Sequence, residues 1–258
     1  MTEFLSLLPA FLLVFVRVLA FFTVLPLYAH RTVPNTFKVG ISLFLAWIMI
    51  FTIDAPMLVF DGTYFLLIIK EVLVGLLVGL LATILLYAIQ VAGGFIDYNM
   101  GFLIANIVDP QTGAQSPLIG GYLYTFALLF LLAVNGHHLL LDGIYYSYQY
   151  VPMEQAFLPL GQENIVWHAV STFNAMFVIA FQMAFPIVGS LFLVDVGLGM
   201  ISRAVPQMNV FVVGLPLKIL VGLLLLTVYM GAFMMVVRGL FDQVIVAMRT
   251  LLAMLGGA

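Results

Sequence analysis

The chain has 258 residues, 65% of them apolar or aromatic and only 7% charged. Its 8 Lys+Arg and 11 Asp+Glu cannot cover a water-soluble globule of this length, whose charged share averages roughly 25%, and the mean hydropathy is +1.24. These values exclude a soluble enzyme, a disordered tail and a nucleic-acid binder, which needs a basic face; the lack of cysteine excludes disulfides, thiolate catalysis and Cys-ligated metals.

A membrane-spanning helix needs about 20 mostly apolar residues. The first candidate, Phe4–Tyr28, turns apolar before any Lys or Arg and carries Arg17 in its middle. It reads as a retained helix, because a cleavable leader starts basic and is shorter. Next comes His30–Lys38, with Arg31 and Lys38 and no acid, then the apolar Val39–Ile53. Asp54–Asp61 holds two acids and no base. Tyr64–Phe95 follows, 32 residues long, about 48 Å of helix at 1.5 Å per residue. Leu118–Leu141 is the fourth segment, and the loop Asp142–Asn164 after it is acidic only. Ile165–Val194 is the fifth, with Pro186 as a candidate kink. After Asp195–Asn209 comes the sixth, Val210–Val237, with Pro216 near its start. A weaker stretch, Gly239–Leu255, carries Asp242 and Arg249 and reads as a possible continuation of the sixth.

The expectation is a single all-α, polytopic membrane domain over residues 1–258, with about six long apolar helices. Two segments exceed a hydrocarbon core about 30 Å thick, so they tilt, kink or leave the bilayer inside an assembly. The positive-inside rule places His30–Lys38 and Asp195–Asn209 in the cytoplasm. Six crossings then put both termini outside.

Residues that could carry chemistry are few. Gln90, Gly94, Asp97 and Gly101 recur at helical spacing and make one small, polar stripe that should face protein or water. The apolar Met100–Val108 runs into Asp109-Pro110-Gln111-Thr112-Gly113, strong turn chemistry. That segment is either an ordinary connecting loop or a re-entrant plug, because irregular backbone at membrane depth must be buried or line a cavity. Asp195, Arg203, Pro206, Gln207, Asn209 and Lys218 concentrate polarity at one tip and suggest a partner-binding hairpin. Lys218 lies in an apolar run and needs a partner or water. Gly75-x-x-x-Gly79 offers a flat face for close helix packing. Lys70 and Glu71 are adjacent, point about 100° apart on a helix and need not pair; with Asp97 they form the basis of a minority ion-relay reading. His138 and Asp142 are four apart, short of the three or four protein ligands that zinc takes.

Several blocks carry a family resemblance. Arg17, Pro26, Arg31-Thr32-Val33-Pro34 and Lys38-Val39-Gly40 resemble the opening of the FliR family of flagellar export-gate proteins. Asn135-Gly136-His137-His138 is similar too, as is the more specific run Ser202-Arg203-Ala204 with Pro206-Gln207-Met208-Asn209-Val210-Phe211. The resemblance covers essentially the whole chain. It implies a subunit of a type III protein-export gate, built with FliP and FliQ and facing FlhB and FlhA. Helical hairpins would wind into a conical assembly in the bacterial cytoplasmic membrane, with membrane lipid around it, and unfolded flagellar export substrates would pass through. It also implies that 1–164 is FliP-like and 165–258 FliQ-like, with the Asp195–Asn209 loop toward the cytoplasm. The family's channel plug would fall on about Ile104–Pro117, and its candidate residues are Phe102, Leu103, Ile104, Ile107, Val108, Asp109 and Pro110. Gly75, Gly79, Gly94 and Gly101 are the candidate packing positions. The resemblance implies no enzyme activity, cofactor, metal or nucleic-acid partner. The alternative is a secondary transporter or ion channel using Asp97, Lys70 and Glu71.

Overall fold

The computed structural model describes residues 2–29, 33–53, 55, 56, 58, 60–102, 117–207 and 209–257. Its helices are α1 (Thr2–Val24), α2 (Pro26–Ala29), α3 (Asn35–Ile50), α4 (Gly62–Leu86), α5 (Ala88–Met100), α6 (Leu118–Ala133), α7 (Gly136–Tyr150), α8 (Glu163–Ala204) and α9 (Val210–Leu255). Among the described residues there is no strand, as expected of an all-α chain.

The expected count of six long apolar helices is corrected. By length and composition, four pass as membrane spans: Ser6–Val24, Gly62–Met100, Glu163–Ala204 and Val210–Leu255. A fifth is obtained if Leu118–Ala133 and Gly136–Tyr150, bent by 73°, count as one broken span. The break has a local cause. Asn135 sits in the left-handed region at φ 57°, a conformation asparagine tolerates better than most residues but no right-handed helix continues. The second segment shifts to the 16 residues of α3, four earlier at its start and three earlier at its end, and is too short to qualify. The fifth segment grows into α8, and the sixth and the weak seventh fuse into the 46 residues of α9. Both long helices contain their proline, Pro186 and Pro216.

The chain divides into two compact units. Unit 1 is Met1–Leu85, Asn135–Phe173 and Asp242–Ala258; unit 2 is Leu86–Val134 and Asn174–Phe241.

In unit 1, α1 and α4 lie side by side and run the same way. Tyr64 donates its hydroxyl to Pro9 O at 2.9 Å near one end, and Thr83 donates to Val24 O at 3.0 Å near the other. A return path must lie between two parallel neighbours. Helix α3 supplies it: Trp47, late in α3, meets Phe11, early in α1, edge-on at 6.2 Å. Its 16 residues rise about 24 Å, shorter than the 23-residue α1 beside it. Asp61 starts α4 by accepting from the Thr63 hydroxyl at 2.6 Å and from the Thr63 and Tyr64 amides, both at 3.0 Å. Those donors hold its carboxyl below the usual carboxylate range. Leu13, Tyr64 and Leu67 form a buried cluster beneath Leu58, Ile68 and Ala156.

In unit 2, α5 and α6 cross with almost no space between them. A Cβ on Gly93 would stand 2.1 Å from the Gly120 Cα. Helices α8 and α9 pair antiparallel there, with Asp195 beside Lys218 and Leu198 against Gly214.

Candidate functional site

Unit 1 buries a charge cluster. Arg17 from α1 and Glu71 from α4 are 0% exposed, and Lys70 is 2% exposed. The Arg17 guanidinium forks onto the carboxylate: Nε donates to Glu71 Oε2, and Nη2 donates to Oε1 at 3.0 Å. Its Nη1 donates to the Ser147 hydroxyl at 2.8 Å, and Nη2 also reaches Val151 O at 3.0 Å. Tyr148 donates to Glu71 Oε2 at 3.3 Å, while its ring lies 3.7 Å under the guanidinium, a cation–π contact. Lys70 donates to Glu71 Oε1 at 2.5 Å. The expectation that Lys70 and Glu71 need not pair is therefore corrected. Their Cα–Cβ vectors do diverge, but the four-carbon lysine stem bends the ammonium back onto the carboxylate.

The helix seam beside this cluster is glycine-lined. A Cβ on Gly75 would meet the Arg17 carbonyl oxygen at 2.4 Å, and one on Gly79 would meet the Phe21 oxygen at 3.2 Å. Glu71, Gly75 and Gly79 share one face of α4 at i, i+4 and i+8. The close approach brings α1 near enough for the Arg17–Glu71 fork.

In unit 2, the polar stripe is helical through Met100. Gly101 ends α5 in the left-handed region at φ 88°, and a Cβ there would also meet Leu215 Cδ1 at 2.4 Å. Gly94 has only Pro117 Cγ near, at 3.7 Å. Asp97 is 1% exposed. Both its oxygens accept from the Ile119 amide at 3.1 Å, and Oδ2 lies 3.5 Å from the Gly120 amide. These are orphan amides at the start of α6, where a helix end favours negative charge. Phe102 is half-buried. Leu103, Ile104, Ile107, Val108, Asp109 and Pro110 lie outside the described residues.

At the α8–α9 tip the expected loop contracts. Helix α8 continues to Ala204 and α9 starts at Val210, so Asp195 and Lys218 are helical. They pair across the hairpin at 2.9 Å, 45% and 18% exposed. Arg203, Pro206, Gln207 and Asn209 are exposed. Asn209 Oδ1 accepts from the Phe211 and Val212 amides at 3.1 and 3.4 Å and so caps α9.

Sequence reasoning missed Ser147, Tyr148, Gly93 and Gly120 as members of these arrangements. One signal was available: a lone Arg17 in one apolar run and Lys70-Glu71 in another are expensive in lipid unless paired.

The family model for bacterial export proteins, family 1, matches residues 8–244. The chain is 56% identical over 257 residues to the flagellar biosynthetic protein FliR of Bacillus subtilis (strain 168), covering 99% of each chain. It is 33% identical over 218 residues to the Yop proteins translocation protein T of Yersinia pestis, covering 83% of this chain and 82% of that one. With FliR of Escherichia coli (strain K12) it shares 26% identity over 88% of this chain and 87% of the other.

Proposed function

The chain belongs to the bacterial export proteins, family 1, and from that membership we propose that it is a membrane subunit of a flagellar type III protein-export apparatus. The observation that carries the reading is the full-length likeness to a flagellar biosynthetic protein, 56% against 33% for the translocation protein of Yersinia. The long apolar helices are consistent with a membrane seat. Its work is steric: the chain forms part of a wall past which unfolded flagellar proteins cross the cytoplasmic membrane, and it performs no bond chemistry.

The finer assignments belong to the same proposal. The partners are FliP and FliQ beside it and FlhB and FlhA on the cytoplasmic side, with the FliP-like part over 1–164 and the FliQ-like hairpin over 165–258. The tip with Arg203, Pro206, Gln207 and Asn209 meets the cytoplasmic partners. The plug falls on about Ile104–Pro117, with Phe102, Leu103, Ile104, Ile107, Val108, Asp109 and Pro110 as its residues. The transporter alternative finds less support: Glu71 and Lys70 are engaged by Arg17 and backbone carbonyls, and Asp97 by the α6 amides.

Isolation in mild detergent tests the proposal. A gate subunit leaves the membrane with other small membrane proteins in fixed proportion. A chain that purifies as a stable monomer or homo-oligomer from flagellated cells contradicts it.

A further inference from the structure

The buried charge cluster holds two cations and one anion. Arg17 by itself forks onto both Glu71 oxygens, a charge-assisted bidentate pair that already neutralises the carboxylate; Lys70 adds a second cation on Oε1 at 2.5 Å. Lys70 is then a surplus charge, 2% exposed, on an apolar helix. A surplus buried ammonium is costly, so its place needs a reason other than neutralising Glu71.

The remaining Lys70 bonds supply one. Its Nζ donates to Pro152 O at 3.0 Å and to Met153 O at 3.1 Å. Arg17 Nη2 takes the preceding carbonyl, Val151 O, at 3.0 Å. Three consecutive carbonyls thus converge on two cations. They lie where α7 ends at Tyr150: Val151 is extended at φ −121° and ψ 90°, and Pro152 cannot continue a helix. Val151 and Met153 are 0% and 3% exposed, so their carbonyls, just past the negative end of a helix, have little water to turn to, while Pro152 between them is exposed.

The grip passes onward within unit 1. Gln155 Nε2 donates to Leu255 O at 3.0 Å and to Phe157 O at 3.1 Å, capping the last turn of α9. Gly256 lies so close to Tyr150 that a Cβ would stand 2.0 Å from its carbonyl oxygen.

We infer that Lys70 is a positioning residue whose ammonium acts as a fixed cation for the Pro152 and Met153 carbonyls, anchoring the exit from α7 and, through Gln155, the end of α9. This role is separate from its ion pair with Glu71, whose charge the Arg17 fork already balances. The inference stands whether or not the chain works in export.

Amide hydrogen exchange on the full chain, isolated with its membrane partners, tests it. Lys70→Met should speed exchange at least tenfold over 151–157 and the last turn of α9. Exchange in α1 around Arg17 should not change, because the Arg17–Glu71 fork remains. Lys70→Arg, which keeps charge and donors, should restore most of the protection. Adding Glu71→Gln to Lys70→Met should not restore it. Unchanged exchange in Lys70→Met, or protection of 151–157 regained in the double variant, overturns the inference. Should Lys70→Met fail to accumulate, Lys70→Gln retains N–H donors without charge and should give an intermediate, local acceleration. A uniform rise across the whole chain in Lys70→Gln also overturns it.

Discussion

Glu71 carries more of unit 1 than its size suggests, because two cations and a tyrosine hydroxyl converge on it. Removing one partner of a buried ion pair costs about 3–5 kcal/mol, since the other charge is left without compensation. Glu71→Gln leaves Arg17 and Lys70 facing each other, and it should be the most damaging single polar substitution in the chain. Replacing the fork by apolar groups, Arg17→Met with Glu71→Leu, should be milder than Glu71→Gln alone. Thermal aggregation midpoints in detergent check the order; equal losses would mean the cluster is not balanced as described. The glycines give a second residue-scale ranking. At Gly75 the obstacle to a Cβ is backbone at 2.4 Å, whereas at Gly79 it is 3.2 Å away and at Gly40 there is open space. Overpacking a close contact costs typically 1–3 kcal/mol. Gly75→Ala should therefore destabilise most, Gly79→Ala little and Gly40→Ala not at all, read from the same midpoints.

At the scale of elements, Asn209 shows how one residue can serve two readings. It belongs to the polar tip that would meet a partner, and it also caps α9. Losing such a cap costs about 1 kcal/mol, so Asn209→Ala confounds the two. Asn209→Ser keeps a capping oxygen. If the tip meets a partner through the carboxamide, Asn209→Ser should weaken co-isolation of cytoplasmic partners while leaving chain stability intact. If Asn209→Ser co-isolates partners as wild type does, the residue is a cap alone. The tip also marks the limit of what sequence shows. Long apolar runs announced α1, α4, α8 and α9. They did not show that α8 would run past Gly197 and Gly199, because a glycine costs a helix only about 1 kcal/mol and packing overrides that. The Asn135 break was legible, since Asn-Gly is turn chemistry, but the apolar flanks of Leu118–Leu141 hid it. The Arg17–Glu71 fork was legible only as unpaired charges in separate runs. Which carbonyls Lys70 would take, and that Gly93 and Gly120 would meet, depends on how helices cross, and spacing along one helix does not carry that.

At the scale of the molecule, α8 and α9 have 42 and 46 residues, about 63 and 69 Å of helix at 1.5 Å per residue. A hydrocarbon core covers about 30 Å of that. Yet large apolar side chains are exposed from Val166 to Ile201 on α8 and from Phe211 to Val246 on α9, about 53 Å of each helix. Lipid cannot cover all of them on helices of this length, so other protein must. Expressed without its partners, the chain should be degraded or aggregate, as contiguous exposed apolar surface predicts; pulse-chase labelling with and without the partners measures this. The central claim, that the chain is a working subunit of a flagellar protein-export apparatus, is tested most directly by placing it in a Bacillus subtilis strain that lacks its own FliR. The account predicts that swimming and the secretion of flagellar subunits into the medium return. A chain that reaches the membrane and co-isolates with the host's export proteins, yet restores neither, would contradict it.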